Sequence, residues 1–437
     1  MFSQIVGQKD QVEELKRIAE TWRDPRGYSS QFGVEIPHVV LLVGAAGTGK
    51  STMVKALAKQ ADLSMRYLDD AHTPSDFQEW IELLVSYAMS VDPFNTMGSI
   101  ALLEDLDQKM AAAESQGERS PSEIFALEMD VPKRQGLVLV TARSETPLKS
   151  LIEKGIFDRI VRLDLPTVRE NEIIFERFFS DRSVKRIDPV VIASILHGKT
   201  VTDLEKVWAL ASEIAFARKD AFVSMKDLVD AALRYAFDAR EISQKDKHRL
   251  DYSAYHEAGH ALAEEILRPG SVAVASIRTY HSSIAGVTCE TYPDERWEND
   301  LDQRINVRAM LAGKAAVQVK YKATDVGSTF DIKMAKRMER RRVEKYEEKT
   351  FHDLHRRSEN TYGIASLDDE YDHRVREILC KEYGEVENFF YSAGVKDCLD
   401  ALARALMEKE TLLGEEVRDV IAKFEFDEEA VMRFKVY

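Results

Sequence analysis

The sequence predicts an α/β domain built on a doubly wound parallel sheet, a helical lid, and then a mainly α-helical domain. Three observations predict it. An apolar run from His38 to Val43 leads into Gly44-Ala45-Ala46-Gly47-Thr48-Gly49-Lys50-Ser51, and a helical spacing follows. Further apolar runs at 100–103 and 136–141 each end in polar residues, as parallel strands do where they deliver side chains to a site. From residue 170 onward the apolar spacing becomes helical, and one helical stretch contains His256-Glu257-Ala258-Gly259-His260.

Bulk properties bound the possibilities. At 437 residues the chain exceeds one ordinary hydrophobic core. With 44% hydrophobic and 31% charged residues it is a globular protein, not a disordered or fibrous one. A formal charge of −15 argues against nucleic acid as a partner, because phosphate backbones are bound by basic surfaces. The 3 cysteines form no C-x-x-C pair, which fits a reducing, cytoplasmic compartment without a disulfide framework. The amino terminus lacks a signal-peptide pattern, and no apolar run reaches the roughly 20 residues of a membrane span.

Taken in order, residues 9–22 place Val12, Leu15, Ile18, Ala19 and Trp22 on one helical face. The run 38–43 reads as a buried strand. The glycine loop after it satisfies G-x-x-x-x-G-K-[ST], and strand, loop and helix in that order are the context of a P-loop. Its glycines let backbone N–H groups curl around phosphates, Lys50 reaches the β/γ oxygens, and Ser51 is placed to ligate magnesium. The strand at 100–103 ends in Glu104-Asp105-Leu106-Asp107, where magnesium and an attacking water are held beside a P-loop. The strand at 136–141 ends in Ala142-Arg143-Ser144, within reach of a γ-phosphate. Gly155-Ile156-Phe157-Asp158-Arg159 precedes a strand at 160–163, and the first domain is expected to cover residues 1–165. Helices fill 166–245, with Arg240 to Arg249 read as a linker. Residues 272–292 alternate like strands, and the rest is helical and charged, including Met338 to Lys349.

Histidines four apart on a helix lie about 40° from each other around the axis, so both imidazoles of His256 and His260 project from one face. That is the spacing by which one helix gives zinc two nitrogen ligands, with Glu257 placed as general base toward a metal-activated water.

These motifs, in this order, resemble the FtsH family of ATP-dependent zinc metalloproteases. The likeness runs from Ile5-Val6-Gly7 to the last helices. It includes Leu127-Glu128-Met129-Asp130, Phe157-Asp158-Arg159 and Leu406-Met407-Glu408-Lys409-Glu410-Thr411-Leu412. The resemblance implies an α/β P-loop AAA+ domain (1–165), a helical lid (166–245) and a mainly α-helical zinc metallopeptidase domain (246–437). It implies Zn2+, ATP and Mg2+ as cofactors, protein or peptide substrates, and a hexameric ring. Nucleotide contacts fall to Val6, Gly7, Gly44, Ala45, Ala46, Gly47, Thr48, Gly49, Lys50, Ser51 and Thr52. Glu104 would hold magnesium, Asp105 would polarise water, Ser144 would sense the γ-phosphate, and Arg159 would reach a neighbouring subunit's nucleotide. The family's third zinc ligand corresponds to Asp331. Read by itself, Asp331 is equally a helix N-cap ahead of Ile332, and Asp325 and Asp302 are the next candidates for the ligand. Gly286-Val287-Thr288 corresponds to the edge strand on which the family's substrates add as an extra strand.

The chain departs from the family's pattern at several points. The family has Asp then Glu where this chain has Glu104 then Asp105, Ser144 replaces an asparagine, and Ile156 replaces one of two arginines. The family's membrane-spanning amino-terminal part is not in this sequence. An aromatic-apolar-Gly pore loop is also lacking, because no glycine occurs between Gly49 and Gly98 and residues 71–80 offer only Phe77 and Trp80. Three functions are therefore weighed: an ATP-dependent zinc endopeptidase; a zinc peptidase with a weak or regulatory ATPase that cleaves loosely folded substrates; and a non-proteolytic remodelling or scaffold subunit. The intact zinc motif favours the first two.

Overall fold

A computed structural model describes residues 2, 5–67, 76–89, 99–115, 120–129, 136–239, 247–278, 286–293, 299–323, 328–346 and 364–435, with side chains throughout except at 67, 89, 247–249, 344–346 and 364–371. Two compact units emerge, Met1–Pro166 with Gly198–Leu204, and Thr167–His197 with Glu205–Tyr437. The helical segment read from the sequence as a separate lid thus lies, apart from 198–204, in the same unit as the residues after 247.

In the first unit, α1 (Lys9–Arg23) buries the expected stripe Val12, Leu15, Ile18, Ala19 and Trp22, and the Trp22 indole donates to Pro37 O at 2.8 Å. After α2 (Pro25–Phe32) comes β1 (Val39–Val43), buried along its whole length, and then α3 (Lys50–Ala61). The elements β2 (Ser64–Tyr67), α4 (Phe77–Met89), β3 (Ser99–Leu103), α5 (Leu106–Ser115), α6 (Pro121–Met129), β4 (Leu137–Ala142), α7 (Lys149–Glu153) and β5 (Arg159–Arg162) complete it. The sheet is parallel in the order β2-β3-β4-β1-β5. The crossover from β1 to β2 runs one way along the sheet and that from β4 to β5 the other, so the crevice at the carboxyl ends of the adjacent strands β1 and β4 is the topological switch point where such sheets bind ligands. Asp158 fastens the other end of this strand, its Oδ2 accepting from the backbone N of His38 (2.7 Å) and Val39 (2.8 Å).

Residues 71–75 of the expected pore loop lie outside the described residues. Phe77 and Trp80 belong to α4, where Phe77 is buried and the Lys109 ammonium sits 3.9 Å from the Trp80 ring centre. Neither ring is presented on a loop.

In the second unit, α8 (Val168–Phe179) starts with a Thr167/Glu170 capping box, and β6 (Val184–Lys185) leads to α9 (Pro189–Ile195) with Asp188 as N-cap. After α10 (Val201–Ala217) and β7 (Val223–Ser224), α11 (Met225–Phe237) starts with a second capping box, Ser224/Asp227. The Asp227 carboxylate also receives Arg218. The next helix, α12, spans Lys247–Leu267, so the last three residues of the expected linker are already helical. A three-stranded antiparallel sheet follows, with β8 (Val272–Ser276) central, β9 (Val287–Glu290) at one edge and β10 (Thr411–Leu413) at the other. Helix α9 packs against β8 and β9.

The remaining elements are α13 (Asp300–Tyr321), α14 (Thr329–Tyr346), α15 (Ile364–Tyr391), α16 (Val395–Lys409), α17 (Gly414–Ile421) and α18 (Glu428–Phe434). Small residues let α12 and α13 approach closely: a Cβ added at Gly259 would sit 2.5 Å from Ala316 Cβ and 2.8 Å from Ala312 O. Nearer the start of α13, the buried Arg308 guanidinium meets the buried Glu382 carboxylate at 2.6 Å. It also donates to the carbonyls of Arg433 (2.7 Å) and Phe434 (2.6 Å). The Phe434 ring stacks on Phe389 at 4.0 Å between centroids. Among the described residues, no helix is long and apolar enough to cross a membrane.

Candidate active sites

The nucleotide site begins where β1 stops. Gly47 and Gly49 have φ of 79° and 92°, a region that costs a side-chain-bearing residue about 1 kcal/mol or more. A Cβ at Gly47 would also lie 2.3 Å from Thr200 Oγ1, and one at Gly44 would lie 2.5 Å from Leu163 O. Thr48 Oγ1 donates to Ala45 O at 2.9 Å, closing the loop, while Ala45 and Ala46 are exposed. Lys50 opens α3 and donates to Gly44 O (2.6 Å) and Ala45 O (2.9 Å). Burial lowers its pKa; Arg143 adds to that, and Asp105, Asp107 and Glu104 oppose it. Ser51 donates to Glu104 Oε1 at 2.7 Å, so the two residues expected at magnesium do meet, and Thr52 follows exposed on α3.

Asp105, just past the end of β3, has φ of 52° and its carboxylate pairs with Arg143 Nη2 at 2.7 Å. Sequence reading missed the roles of Arg143 and Asp107. The Asp107 carboxylate accepts from the backbone N of Arg143 and of Ser144, each at 3.2 Å, and so holds the turn after β4. The Ser144 hydroxyl accepts from Thr146 N at 3.2 Å. Arg159 is exposed on β5, donating to Asp158 O at 2.7 Å. Near the amino terminus Val6 is half-buried and Gly7 has φ of 72°.

In the second unit, α12 and α14 bring three donors together. His256 Nε2 lies 3.1 Å from Asp331 Oδ2, and His260 Nε2 lies 3.6 Å from it. The two imidazole Nε2 atoms are 3.1 Å apart, and one ligand atom from each of the three residues falls within 4.8 Å of the others. Asp331 is inside the first turn of α14 with its carboxylate on the imidazoles, which supports the ligand reading over the helix N-cap. Asp302 sits in the first turn of α13, and Asp325 lies outside the described residues.

The surroundings suit a divalent cation. Two imidazoles and a carboxylate form the donor set of an open catalytic zinc site. His260 Nδ1 bonds to Ala309 O at 2.9 Å, which directs its Nε2 toward the other ligands. A Cβ at Gly313 would sit 2.4 Å from His260 Nε2 and 2.7 Å from His256 Cε1, so only glycine lets α13 pass this close. Burial alone would lower the His260 pKa, but the hydrogen bond and charge of Asp331 outweigh it and raise it to about 9. Burial also opposes ionisation of Asp331, yet both histidines hold its carboxyl well below the ordinary range. Glu257 is buried beside them. Burial pushes its carboxyl up, while the histidines and a hydrogen bond from Thr288 Oγ1 to Oε2 at 2.9 Å counteract this. Spacing along the sequence gave no sign of Thr288 or Gly313, which reach the site only through tertiary packing.

Residues 40–165 match the family model described as the ATPase family associated with various cellular activities (AAA), and residues 240–420 match peptidase family M41. The chain is 27% identical over 458 residues to "ATP-dependent zinc metalloprotease FtsH 3" of Petrotoga mobilis, an alignment covering 97% of this chain and 69% of that protein. It is 28% identical over 478 residues to "ATP-dependent zinc metalloprotease FtsH" of Pseudothermotoga lettingae, covering 100% of this chain and 73% of that protein. Both domain models occur here in sequence, each over the motif that its chemistry needs, and the chain is an FtsH-like AAA+ zinc metalloprotease.

Proposed function

We propose that the chain is an endopeptidase acting on protein or peptide substrates, with His256, His260 and Asp331 holding zinc and Glu257 as general base. The observation that carries this reading is the convergence of the three ligand atoms beside a buried, hydrogen-bonded Glu257. A zinc ion bound there supplies Lewis acidity toward water and the scissile carbonyl. Glu257 takes the proton of the attacking water and returns it to the leaving amine. Among the described residues β9 is an edge strand of its sheet, the place where an extended substrate gains main-chain hydrogen bonds. ATP and Mg2+ bind at the P-loop, with Glu104 and Ser51 toward the metal, Asp105 toward water, and Arg159 toward a neighbour's nucleotide in a hexameric ring. Three free cysteines suit a reducing, cytoplasmic setting.

A second reading, in which the ATPase is weak or regulatory, is favoured by the ion pair that engages Asp105 with Arg143. It expects loosely folded substrates to be cleaved with little dependence on ATP turnover. The two readings separate by comparing a stable and a destabilised form of one tagged domain, with ATP and with a non-hydrolysable analogue.

For the peptidase, Glu257→Gln should keep its zinc and lose casein cleavage by roughly 100- to 10,000-fold, with ATP hydrolysis nearly unchanged. Substantial cleavage by the purified variant would remove Glu257 from the mechanism.

A further inference from the structure

We propose that Thr288 is a positioning residue of the peptidase: its hydroxyl fixes the carboxylate of Glu257 from the neighbouring strand. The inference rests on Glu257 being the base. A glutamate has three rotatable side-chain bonds, and a base serves only in the rotamer that faces the reacting water. In this protein Thr288 Oγ1 donates to Glu257 Oε2 at 2.9 Å, which leaves Oε1 to accept a proton. Two residues earlier, Gly286 presses its backbone against the same side chain. A Cβ there would lie 2.6 Å from both Glu257 Cγ and Oε1. The carboxylate is thus confined where α12 meets β9, with Oε2 tied to Thr288 and Oε1 beside Gly286.

The strand that does this is itself fixed. It pairs with β8, Ala275 opposite Thr288 and Ser276 opposite Val287. Just beyond its end, the Tyr292 hydroxyl donates to Glu172 Oε2 of α8 at 2.8 Å, and the Arg169 guanidinium lies 4.3 Å over the Tyr292 ring. A strand paired with β8 and tied just past its carboxyl end gives the hydroxyl a defined place to donate from. The competing role is structural, since Thr288 Oγ1 also lies 3.4 Å from Glu257 O and would then only close the strand onto the helix.

The test is hydrolysis of an internally quenched unstructured peptide by the full chain, with kcat, KM and bound zinc measured for Thr288→Val, Thr288→Ser and Glu257→Gln. Thr288→Val should lower kcat roughly ten- to hundredfold, with KM and zinc content unchanged. Thr288→Ser should restore most of the rate, and Thr288→Val should add nothing in a Glu257→Gln background, because the hydroxyl acts through that carboxylate. Thr288→Ala makes the same test if the valine variant fails to fold. Wild-type kcat in the valine or alanine variant alongside an inactive Glu257→Gln overturns the positioning role alone. A rise in KM with kcat unchanged, or a kcat loss that tracks zinc loss, overturns it as well. Full activity in Glu257→Gln overturns the base assignment instead.

Discussion

The metal centre and the nucleotide site are built on opposite plans. At the metal centre the histidines and Asp331 also meet one another, but neighbours outside the proposed ligand set steer the groups: Ala309 O orients His260, Thr288 ties Glu257, and Gly313 clears room for both imidazoles. At the nucleotide site the reactive groups are bonded to one another. Lys50 donates to the loop it belongs to, Ser51 to Glu104, and Arg143 to Asp105. The first plan leaves donors aimed at a common point, and the second requires bonds to be exchanged when phosphate arrives. A site of the first kind tolerates almost no change in its lining, whereas the second kind has slack that substitutions can tune.

The sharpest way to break this contrast is Gly313→Ala. In an exposed helix the change would stabilise by about 1 kcal/mol, yet here the new Cβ meets His260 Nε2 at 2.4 Å. We expect the helix content to survive while bound zinc and peptide cleavage are both lost, checked by metal analysis on the folded variant. Full zinc occupancy would show that the centre has slack after all.

A smaller effect is expected on the nucleotide side. Exchanging the acids, Glu104→Asp with Asp105→Glu, lengthens by one methylene the carboxylate proposed to face water. If Asp105 falls short of the attacking water, steady-state ATPase should rise about tenfold. A fall would mean that the Asp105–Arg143 pair is itself the working arrangement.

The smallest effect belongs to a polar cluster that contains no residue of either motif. Burial raises the Asp227 pKa, but hydrogen bonds from Arg218 and Ser224 more than offset this and leave it below the ordinary 3.8. A carboxyl whose folded pKa is lowered contributes stability that is complete above the unfolded value and fades as pH falls through the folded one. Asp227→Asn should therefore cost about 1–2 kcal/mol at neutral pH. The gap to wild type in urea unfolding should close as pH drops below 3.8. A gap that is constant with pH would assign the loss to packing instead.

What was legible in the sequence divides along the same line. The P-loop and the two histidines are local, so spacing alone placed them on β1, α3 and α12. The stripe of α1 and the buried strands β1, β3 and β4 were legible for the same reason, with ends shifted by a residue. Strand β2, with Ser64 and Arg66, carries too little apolar pattern to announce itself, and β10 is three residues in the shadow of a helix. Asp331 required a resemblance, because its own neighbourhood reads equally as a cap. Thr288, Gly313 and Arg143 owe their roles to contacts between elements far apart in the chain, and no periodicity encodes those.

For biosynthesis, the burial of Arg308 has a direct meaning. This cation is neutralised by Glu382 and capped by the carbonyls of Arg433 and Phe434, all from later parts of the chain. A buried charge without its partners is strongly destabilising, so the packing around Arg308 is complete only once those residues have been made. His256, Glu257 and His260 precede those residues in the chain, so the helix that carries them is made before the packing around its neighbour α13 can be completed.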